Sequence, residues 1–237
     1  MINFIESFLF PLECYGCGKV SSNLCDNCNN RLIYSIPECY VCRRVSSGFI
    51  THENCLSEKT PYSAVFYGWQ YNSITRKLLH AYKYRHAYKL SEFISGLLFE
   101  RFRRLNISFN SESFVITSIP LHSTREKERG FNQVELICKG FAKRLNIEYT
   151  PILERIKKTE SQSLQSKKGR VQNVRNSFQL STSSKGLENG KGILIMDDVI
   201  TTGSTLNAAA QEILKGLPNS EILGIGLFRG KPRFSDN

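Results

Sequence analysis

Beyond residue 60, the chain alternates between short apolar runs typical of buried strands and longer stretches with apolar residues at helical spacing. The apolar runs predict strands at residues 64–67, 114–119, 152–156, 192–196 and 222–228. The helical spacing predicts helices over residues 74–82, 90–98, 134–145 and 206–217. Strands that alternate with helices favour a parallel sheet covered by helices. We therefore expect an α/β domain in this part of the chain.

The first 60 residues follow a different pattern, with short polar turns and little apolar periodicity. This change predicts a small module at residues 1–60 and a larger α/β domain at residues 61–237. Residues 1–12 are apolar but lack the basic start and the cleavage site of a signal peptide, so we expect a short amphipathic helix there. No run approaches ~18–20 apolar residues, so no membrane-spanning helix is expected. We accordingly expect a cytoplasmic protein whose thiols stay reduced.

Eight potential metal ligands lie in the first module, in four pairs separated by two residues. The pairs are Cys14 and Cys17, Cys25 and Cys28, Cys39 and Cys42, and His52 and Cys55. Two pairs complete a tetrahedral site, so the module is predicted to hold up to two structural zinc ions. Pairing of neighbours closes the shorter loops and is favoured, although pairing of first with third and second with fourth also has plausible spacing. A disulfide framework is disfavoured without a signal peptide, and the isolated Cys138 is expected to be an inert packing residue.

The charge of the chain is concentrated in its middle. Lys and Arg number 32 against 21 Asp and Glu, giving a net charge of +11 over 237 residues. Residues 76–175 carry 21 of the basic and 9 of the acidic side chains, which accounts for the whole excess. A basic region favours anionic partners such as phosphates, nucleotides or nucleic acid, and charge alone does not choose among them.

A second motif joins the strand predicted at residues 192–196 to the helix that begins near Thr205. Two adjacent carboxylates, Asp197 and Asp198, follow the strand, and a Thr/Gly/Ser loop leads into the helix. Loop N–H groups, hydroxyls and the helix N-terminus favour a phosphate, and Gly203 lets the backbone approach it closely. Because carboxylates beside a phosphate repel it, we expect them to serve ribose hydroxyls or a bound cation. Such a site lies at the carboxyl end of a parallel strand, where α/β sheets bind ligands.

This stretch closely resembles the signature with which type I phosphoribosyltransferases bind phosphoribosyl pyrophosphate (PRPP). Two further blocks narrow the resemblance: residues 129–133, which read R-G-F-N-Q, and residues 162–178, with Arg170, Asn173 and Val174. With the cysteine pairs in front, the whole chain resembles the ComF/GntX family of double-zinc-ribbon, phosphoribosyltransferase-like proteins. The chain departs from the family pattern at Gly169, where an acidic residue is commoner, and in offering His52 as a zinc ligand.

The resemblance implies an α/β type I phosphoribosyltransferase fold, a parallel sheet flanked by helices, preceded by a small double zinc ribbon. It implies that Asp197 and Asp198 contact the ribose hydroxyls, and that these carboxylates and Arg170 carry the catalysis. Arg170 lies in a segment resembling the flexible loop that closes over PRPP in such enzymes. The implied PRPP contacts also include Thr201, Thr202, Gly203, Ser204 and Thr205 around the 5′-phosphate. The resemblance further implies a pyrophosphate loop from Leu121 to Arg125, and the implied contacts around the pyrophosphate are Leu121, His122, Arg125, Arg129 and Lys83.

Three functions are compatible with this resemblance. The first is transfer of phosphoribosyl from PRPP, bound with Mg²⁺, to an unidentified acceptor. The second is a non-catalytic DNA-associated competence factor, because the family is linked with DNA uptake and the basic block favours single-stranded DNA. Proteins of the competence machinery are further candidate partners in that case. The third is a PRPP-responsive regulator without turnover.

Overall fold

A computed structural model of the chain describes residues 13–57, 60–84, 87–107, 110–156 and 177–230. The helix expected at residues 1–12 and the segment that contains Arg170 lie outside these ranges. The strands are β1 (Tyr62–Gln70), β2 (Phe114–Ser118), β3 (Glu148–Tyr149), β4 (Leu153–Arg155), β5 (Phe178–Leu180), β6 (Gly192–Ile200) and β7 (Ile222–Arg229). The helices are α1 (Asp26–Asn29), α2 (Ser73–Tyr84), α3 (Ala87–Arg104), α4 (Ser123–Arg129), α5 (Gln133–Leu145) and α6 (Ser204–Gly216). In these ranges, no helix combines the length and apolar character needed to span a bilayer.

Five strands form one parallel sheet, which confirms the α/β fold expected from the alternating pattern. Their order is β1-β7-β6-β2-β3, and every adjacent pair is parallel. All eight residues of β7 and the first five of β6 are buried. Burial on both faces explains why residues 192–196 read as a continuous apolar run.

Helices cover both faces of the sheet. Val65 and Gly68 of β1 face opposite sides, because successive strand residues alternate. A Cβ atom at Gly68 would lie 3.2 Å from Leu98 of α3, whereas one at Gly224, the partner of Val65, would lie 2.8 Å from Leu206 of α6. Therefore α3 and α6 lie on opposite faces, and α6 approaches β7 as closely as it does because Gly224 has no side chain.

The strand expected at residues 152–156 does not join the parallel sheet. Leu153–Arg155 (β4) pairs antiparallel with β5 in a separate two-stranded sheet. The edge position beside β2 is occupied by β3, and the Thr150 N–H then donates to Ile116 O at 3.0 Å, at the end of that pairing. The two residues of β3 are exposed and half-buried, so no apolar run indicated them.

The N-terminal module contains a repeated hairpin of eight residues. Residues 13–20 (the first knuckle) and residues 38–45 (the second knuckle) both read Glu-Cys-Tyr-x-Cys-x-basic-Val. In each knuckle, the N–H of the first cysteine donates to the carbonyl of the basic residue. The distances are 2.8 Å from Cys14 N to Lys19 O and 2.9 Å from Cys39 N to Arg44 O. The same eight-residue pattern therefore folds into the same turn twice.

Aromatic contacts join this module to the α/β domain. The rings of Tyr40 and Tyr62 lie 5.6 Å apart, and those of Phe49 and Phe66 lie 5.9 Å apart. Buried residues of both parts belong to one continuous hydrophobic core. The domain boundary at residue 60 stays a prediction.

Candidate functional site

The loop that joins β6 to α6 has the backbone geometry of an anion-binding site. Gly203 is the N-cap of α6, with φ 77° and ψ 6°, a left-handed conformation that favours glycine. A glycine cap has no side chain to bind the first N–H groups of α6, which point out of the helix N-terminus. The Thr202 and Ser204 hydroxyls lie 2.8 Å apart beside it, while Thr201 and Thr205 are half-buried. N–H groups, hydroxyls and the positive end of a helix dipole are what a phosphate needs.

The two carboxylates lie inside β6, and not after it as the sequence pattern suggested. The reason is that β6 continues to pair with β7 as far as Ile200. Asp197 Oδ1 accepts from the Asp198 N–H at 2.8 Å, and Asp198 Oδ1 accepts from the Val199 N–H at 2.7 Å. A carboxylate has about four acceptor positions, which suits it to bind ribose hydroxyls or a cation. The strand thus delivers two oriented carboxylates to the start of the loop.

Two arginines outside the motif bind the carbonyl oxygen of Thr201. Arg43 Nη2 donates to this oxygen at 2.8 Å and Arg229 Nη1 at 3.1 Å. Glu38 Oε1 accepts from Arg229 Nε at 2.8 Å and lies 3.5 Å from Arg43 Nη1. Arg43 and Glu38 belong to the second knuckle, and Arg229 ends β7. Sequence reasoning missed all three, because no motif links these distant positions.

Tyr40 of the second knuckle lies against the same loop. Its hydroxyl donates to Asn207 Oδ1 of α6 at 3.0 Å, and a Cβ atom at Gly203 would lie 3.4 Å from its ring. Burial raises the pKa of Tyr40, so the hydroxyl stays protonated and remains a donor. The loop between β6 and α6 therefore packs directly on the cysteine-rich module.

The expected pyrophosphate loop is helical from Ser123 onward, which corrects the loop predicted from Leu121 to Arg125. The cause is a cap, because His122 Nδ1 accepts from the Thr124 N–H at 3.2 Å and starts α4. Leu121 and Arg125 are half-buried, and Arg129 Nη1 donates to Gln133 Oε1 at 2.9 Å.

The R-G-F-N-Q block builds a corner at the carboxyl end of β2. Gly130 ends α4 with φ 77°. Asn132 Oδ1 then accepts from the Val134 N–H at 3.1 Å, and its Nδ2 donates to Ile119 O at 3.1 Å. Asn132 thereby caps α5 and ties it to the residue that follows β2. The block thus has a structural role, which resemblance alone did not indicate.

Arg155 is a further basic residue of this region that sequence reasoning did not single out. Its guanidinium lies 5.4 Å from the centre of the Phe178 ring. Burial lowers the pKa of Arg155, while Asp197 raises it and Arg125 lowers it again. Arg155 is thus within electrostatic range of both Asp197 and Arg125. The charge of Arg155 is retained in spite of burial, since guanidinium groups stay protonated in proteins.

Lys83 and Arg170 are the two remaining predicted site residues. Lys83 lies in the last turn of α2, and Arg170 lies outside the described residues. Their contacts with PRPP stay predictions.

The eight predicted metal ligands form two groups, and each group joins neighbouring pairs. The first group is Cys14, Cys17, Cys25 and Cys28, and the second is Cys39, Cys42, His52 and Cys55. Within each group, all ligand atoms lie within 4.8 Å of one another. The structure thus follows the pairing of neighbours and not the interleaved alternative. All eight cysteines of the chain are free thiols, contrary to a disulfide framework, and Cys138 is buried in α5 as expected.

Distances inside these groups fit zinc. A tetrahedral site with Zn–S bonds of about 2.3 Å has S–S edges of ~3.8 Å. The sulfur atoms of Cys17 and Cys25 lie 3.7 Å apart, and Cys42 Sγ lies 3.3 Å from His52 Nδ1. Either group could therefore hold one zinc ion with four protein ligands, which leaves no open position for catalysis.

Hydrogen bonds lower the thiol pKa of one cysteine in each ligand group, which favours the metal-binding thiolate. A hydrogen bond from Arg44 lowers the pKa of Cys42 to about 6. Although burial opposes it, backbone N–H groups lower the pKa of Cys14 to about 6. Burial raises the pKa of Cys28 to about 12 and of Cys55 to about 11. Because thiolates are the metal-binding form, zinc binding to each group displaces protons.

Comparisons with known proteins agree with this arrangement. A family model described as "Phosphoribosyl transferase domain" matches residues 136–227. Competence protein F of Haemophilus influenzae is 29% identical over 233 residues, which cover 97% of this chain and 100% of that protein. DNA utilization protein YhgH of Salmonella typhimurium is 29% identical over 163 residues, covering 68% of this chain and 70% of that protein.

Among solved structures, adenine phosphoribosyltransferase from Leishmania tarentolae is 13% identical with a TM-score of 0.35, covering 60% of this chain and 71% of that one. The phosphoribosyltransferase domain match, the cysteine-rich module and the end-to-end similarity to Competence protein F together fit a ComF-family, phosphoribosyltransferase-like protein.

Proposed function

We propose that the chain binds PRPP together with Mg²⁺ at residues 197–205 and transfers its phosphoribosyl group to an acceptor. The observation that carries this proposal is the path from two oriented carboxylates in β6 to the glycine-capped N-terminus of α6. A ligand that binds both the N-terminus of α6 and the two carboxylates needs a phosphate for the first and hydroxyls or a cation for the second. PRPP has a 5′-phosphate, two ribose hydroxyls and a diphosphate that binds Mg²⁺.

In the proposed transfer, the bond from ribose C1 to a pyrophosphate oxygen breaks with oxocarbenium character, and a nitrogen nucleophile bonds to C1. Pyrophosphate leaves with the electron pair of the broken bond. Asp197 and Asp198 hold the ribose hydroxyls, and Arg125 and Arg155 stabilise negative charge on the leaving group. By the resemblance, Arg170 is a further residue that stabilises this charge. Bound Mg²⁺ offsets part of the diphosphate charge.

Pyrophosphate release from PRPP, measured with a panel of nitrogen acceptors, tests the proposal. We expect release that requires Mg²⁺ and one of the acceptors, and that is lost in the double variant Asp197→Asn, Asp198→Asn. Glu188→Gln is the matched control, because this carboxylate is exposed and lies before β6. PRPP binding without release across the panel supports a PRPP-responsive regulator instead. Absence of PRPP binding refutes both functions.

A second candidate function is an association with DNA uptake. It is suggested by the names of the relatives, Competence protein F and DNA utilization protein YhgH. One surface feature favours it. Tyr34 is 43% exposed beside the arginine-rich end of α3. The Arg101 guanidinium lies 4.4 Å from the centre of its ring, and Arg104 Nη1 donates to its hydroxyl at 3.1 Å. Aromatic rings among arginines are typical of surfaces that bind single-stranded nucleic acid.

Fluorescence polarisation of a labelled oligothymidine over a salt series tests this second function. We expect binding at ~50 mM salt that weakens steeply as salt rises. Replacing Arg103 and Arg104 by glutamine removes two cations, so the slope of log K against log salt becomes shallower by about 1.4. Lys215→Gln, an exposed change on α6, serves as control. Absence of binding at ~50 mM salt contradicts the DNA association.

A further inference from the structure

We propose that the second knuckle positions residues 201–205, the phosphate loop of the proposed function. We also propose that ligand binding at this loop is coupled to metal binding by the second ligand group, Cys39, Cys42, His52 and Cys55. Arg43 and Tyr40 are the positioning residues in this proposal. It rests on the proposed function for the identity of the ligand, while the contact between knuckle and loop is independent of it.

The two knuckles differ at the turn position occupied by Arg43, and the difference indicates that the Arg43 side chain has a role beyond forming the turn. The repeat places Gly18 in the first knuckle where Arg43 stands in the second. Both residues adopt a left-handed backbone, with φ 77° at Gly18 and 66° at Arg43. Glycine adopts this conformation freely, whereas another residue is strained in it by roughly 1–3 kcal/mol. The second knuckle therefore carries a strained arginine at a turn that the first knuckle makes with glycine.

The Arg43 side chain spans from the knuckle to the loop. Its Nη2 donates to the Thr201 carbonyl at 2.8 Å, across 158 positions of sequence. The same carbonyl accepts from the buried Arg229 at 3.1 Å. With its carbonyl held from outside by two guanidinium groups, the peptide that follows Thr201 has a fixed orientation. That peptide leads directly into Gly203 and the N–H groups of α6.

Tyr40 provides a second contact between knuckle and loop. It is 5% exposed, its ring packs against Gly203, and its hydroxyl binds Asn207 in the first turn of α6. Asn207 N in turn donates to Gly203 O at 2.8 Å. Two successive hydrogen bonds, through Asn207, thus connect Tyr40 to the helix cap Gly203.

The charges of the cluster favour an anion at the loop. Arg43 and Arg229 share one carboxylate, that of Glu38. These three groups together carry one net positive charge, close to the start of α6. The positive end of the helix dipole adds to the same field. An anion bound at the loop therefore benefits from the cluster even without touching the two arginines.

Metal coupling follows from where Tyr40 and Arg43 lie. Tyr40 stands between the ligands Cys39 and Cys42, and Arg43 comes directly after Cys42. A metal held by these thiolates fixes the turn that carries both side chains. Coupling of this kind is reciprocal, so an anion on the loop strengthens metal binding by the second group to the same degree. The first group packs instead on α2, where Lys77 Nζ donates to Gly16 O at 3.1 Å, and serves as an internal reference.

Hydrogen exchange of the zinc-loaded, full-length protein without ligand tests the positioning role. Arg43→Gly copies the first knuckle, so it relieves the backbone strain and removes the side chain. We expect the amides of Asn207 and Gly230, which donate to Gly203 O and Ile200 O on either side of the loop, to exchange about tenfold faster, as for loss of one hydrogen bond to a charged group, with zinc content unchanged. Arg43→Gln removes the charge and is used if Arg43→Gly binds less zinc. Arg31→Gln, an exposed change in the same module, is the control. Unchanged exchange at Asn207 and Gly230 overturns the proposal.

Zinc transfer to a coloured chelator tests the coupling. With Mg²⁺ and saturating PRPP, we expect the release of one zinc ion to slow several-fold and that of the other to stay unchanged. Cys42→Ser, which disables the second group, identifies the slowed ion. The effect is expected to disappear in Arg43→Gly. Equal slowing of both ions, or of neither when PRPP is bound, overturns the coupling. Failure of the wild-type protein to bind PRPP refutes the proposed function, and the exchange experiment still decides the positioning role.

Discussion

Replacement of Arg229 by methionine tests whether the charged cluster at Thr201 stabilises the fold. Arg229 is 7% exposed, and its guanidinium donates to Glu38 Oε1 at 2.8 Å and to Thr201 O at 3.1 Å. The guanidinium also lies 4.5 Å from the centre of the Tyr67 ring. Methionine keeps most of the apolar stem and removes the charge, so the change isolates the polar contacts of the cluster.

The expected cost follows from burial. Removing one partner of a buried ion pair costs about 3–5 kcal/mol. The Glu38 side chain is 22% exposed and keeps Arg43 as a second partner at 3.5 Å, so we expect the lower end, about 3 kcal/mol. For a chain of this size, 1 kcal/mol lowers Tm by about 2–4 °C. Arg229→Met is therefore expected to lower Tm by about 6–12 °C.

Thermal unfolding followed by circular dichroism, with both proteins zinc-loaded at one zinc concentration, measures this shift. Arg103→Met is the matched control, because its side chain is 67% exposed and lies 3.4 Å from Glu100. An exposed pair of this kind contributes about 0.5 kcal/mol or less, so Tm is expected to fall by less than about 2 °C. If Arg229→Met lowers Tm no further than Arg103→Met does, the stabilising role of the cluster is wrong.

Three further changes test other parts of the structure. Gly203→Ala places a side chain at φ 77° and is expected to weaken PRPP binding in calorimetry by about fivefold, for a strain of about 1 kcal/mol. Gly190→Ala, at φ 100° in open space, is expected to leave binding unchanged, and equal affinities of the two variants contradict the role of Gly203. Cys42→Ser is expected to lower zinc by one ion per chain in metal analysis, whereas Cys138→Ser leaves it unchanged; an equal zinc content argues against the second group. Phe141→Ala, fully buried in α5, is expected to lower the free energy of urea unfolding by about 3–5 kcal/mol, and a loss below about 1 kcal/mol contradicts its place in the core.

Much of the fold could be predicted because its signals are local. Five consecutive apolar residues predict the buried strand β6. The position of Gly203 between that strand and a helix predicts the glycine of the phosphate loop. The cysteine pairs likewise predicted which residues cluster, since two-residue spacing acts within a single turn. Each of these features depends on residues that are close in sequence.

The remaining features depend on contacts between distant segments. Nothing near Arg43 indicates that it binds the carbonyl of Thr201, and nothing near Arg229 indicates its partner Glu38. The strand at Leu153–Arg155 was recognised, but its partner could not be, because a three-residue strand carries too little pattern to select the sheet it joins. The cap made by His122 was missed because histidine is an unusual helix cap, so a loop was predicted where α4 begins.

Calorimetric titration of PRPP, in the presence of Mg²⁺, into the wild-type chain and into the double variant Asp197→Asn, Asp198→Asn tests the central claim most directly. The proposed site predicts saturable binding by the wild-type chain that requires Mg²⁺. It predicts a much weaker affinity for the double variant, with Glu188→Gln binding as the wild type does. Equal PRPP affinity in the wild type and the double variant would contradict a site built on these two carboxylates.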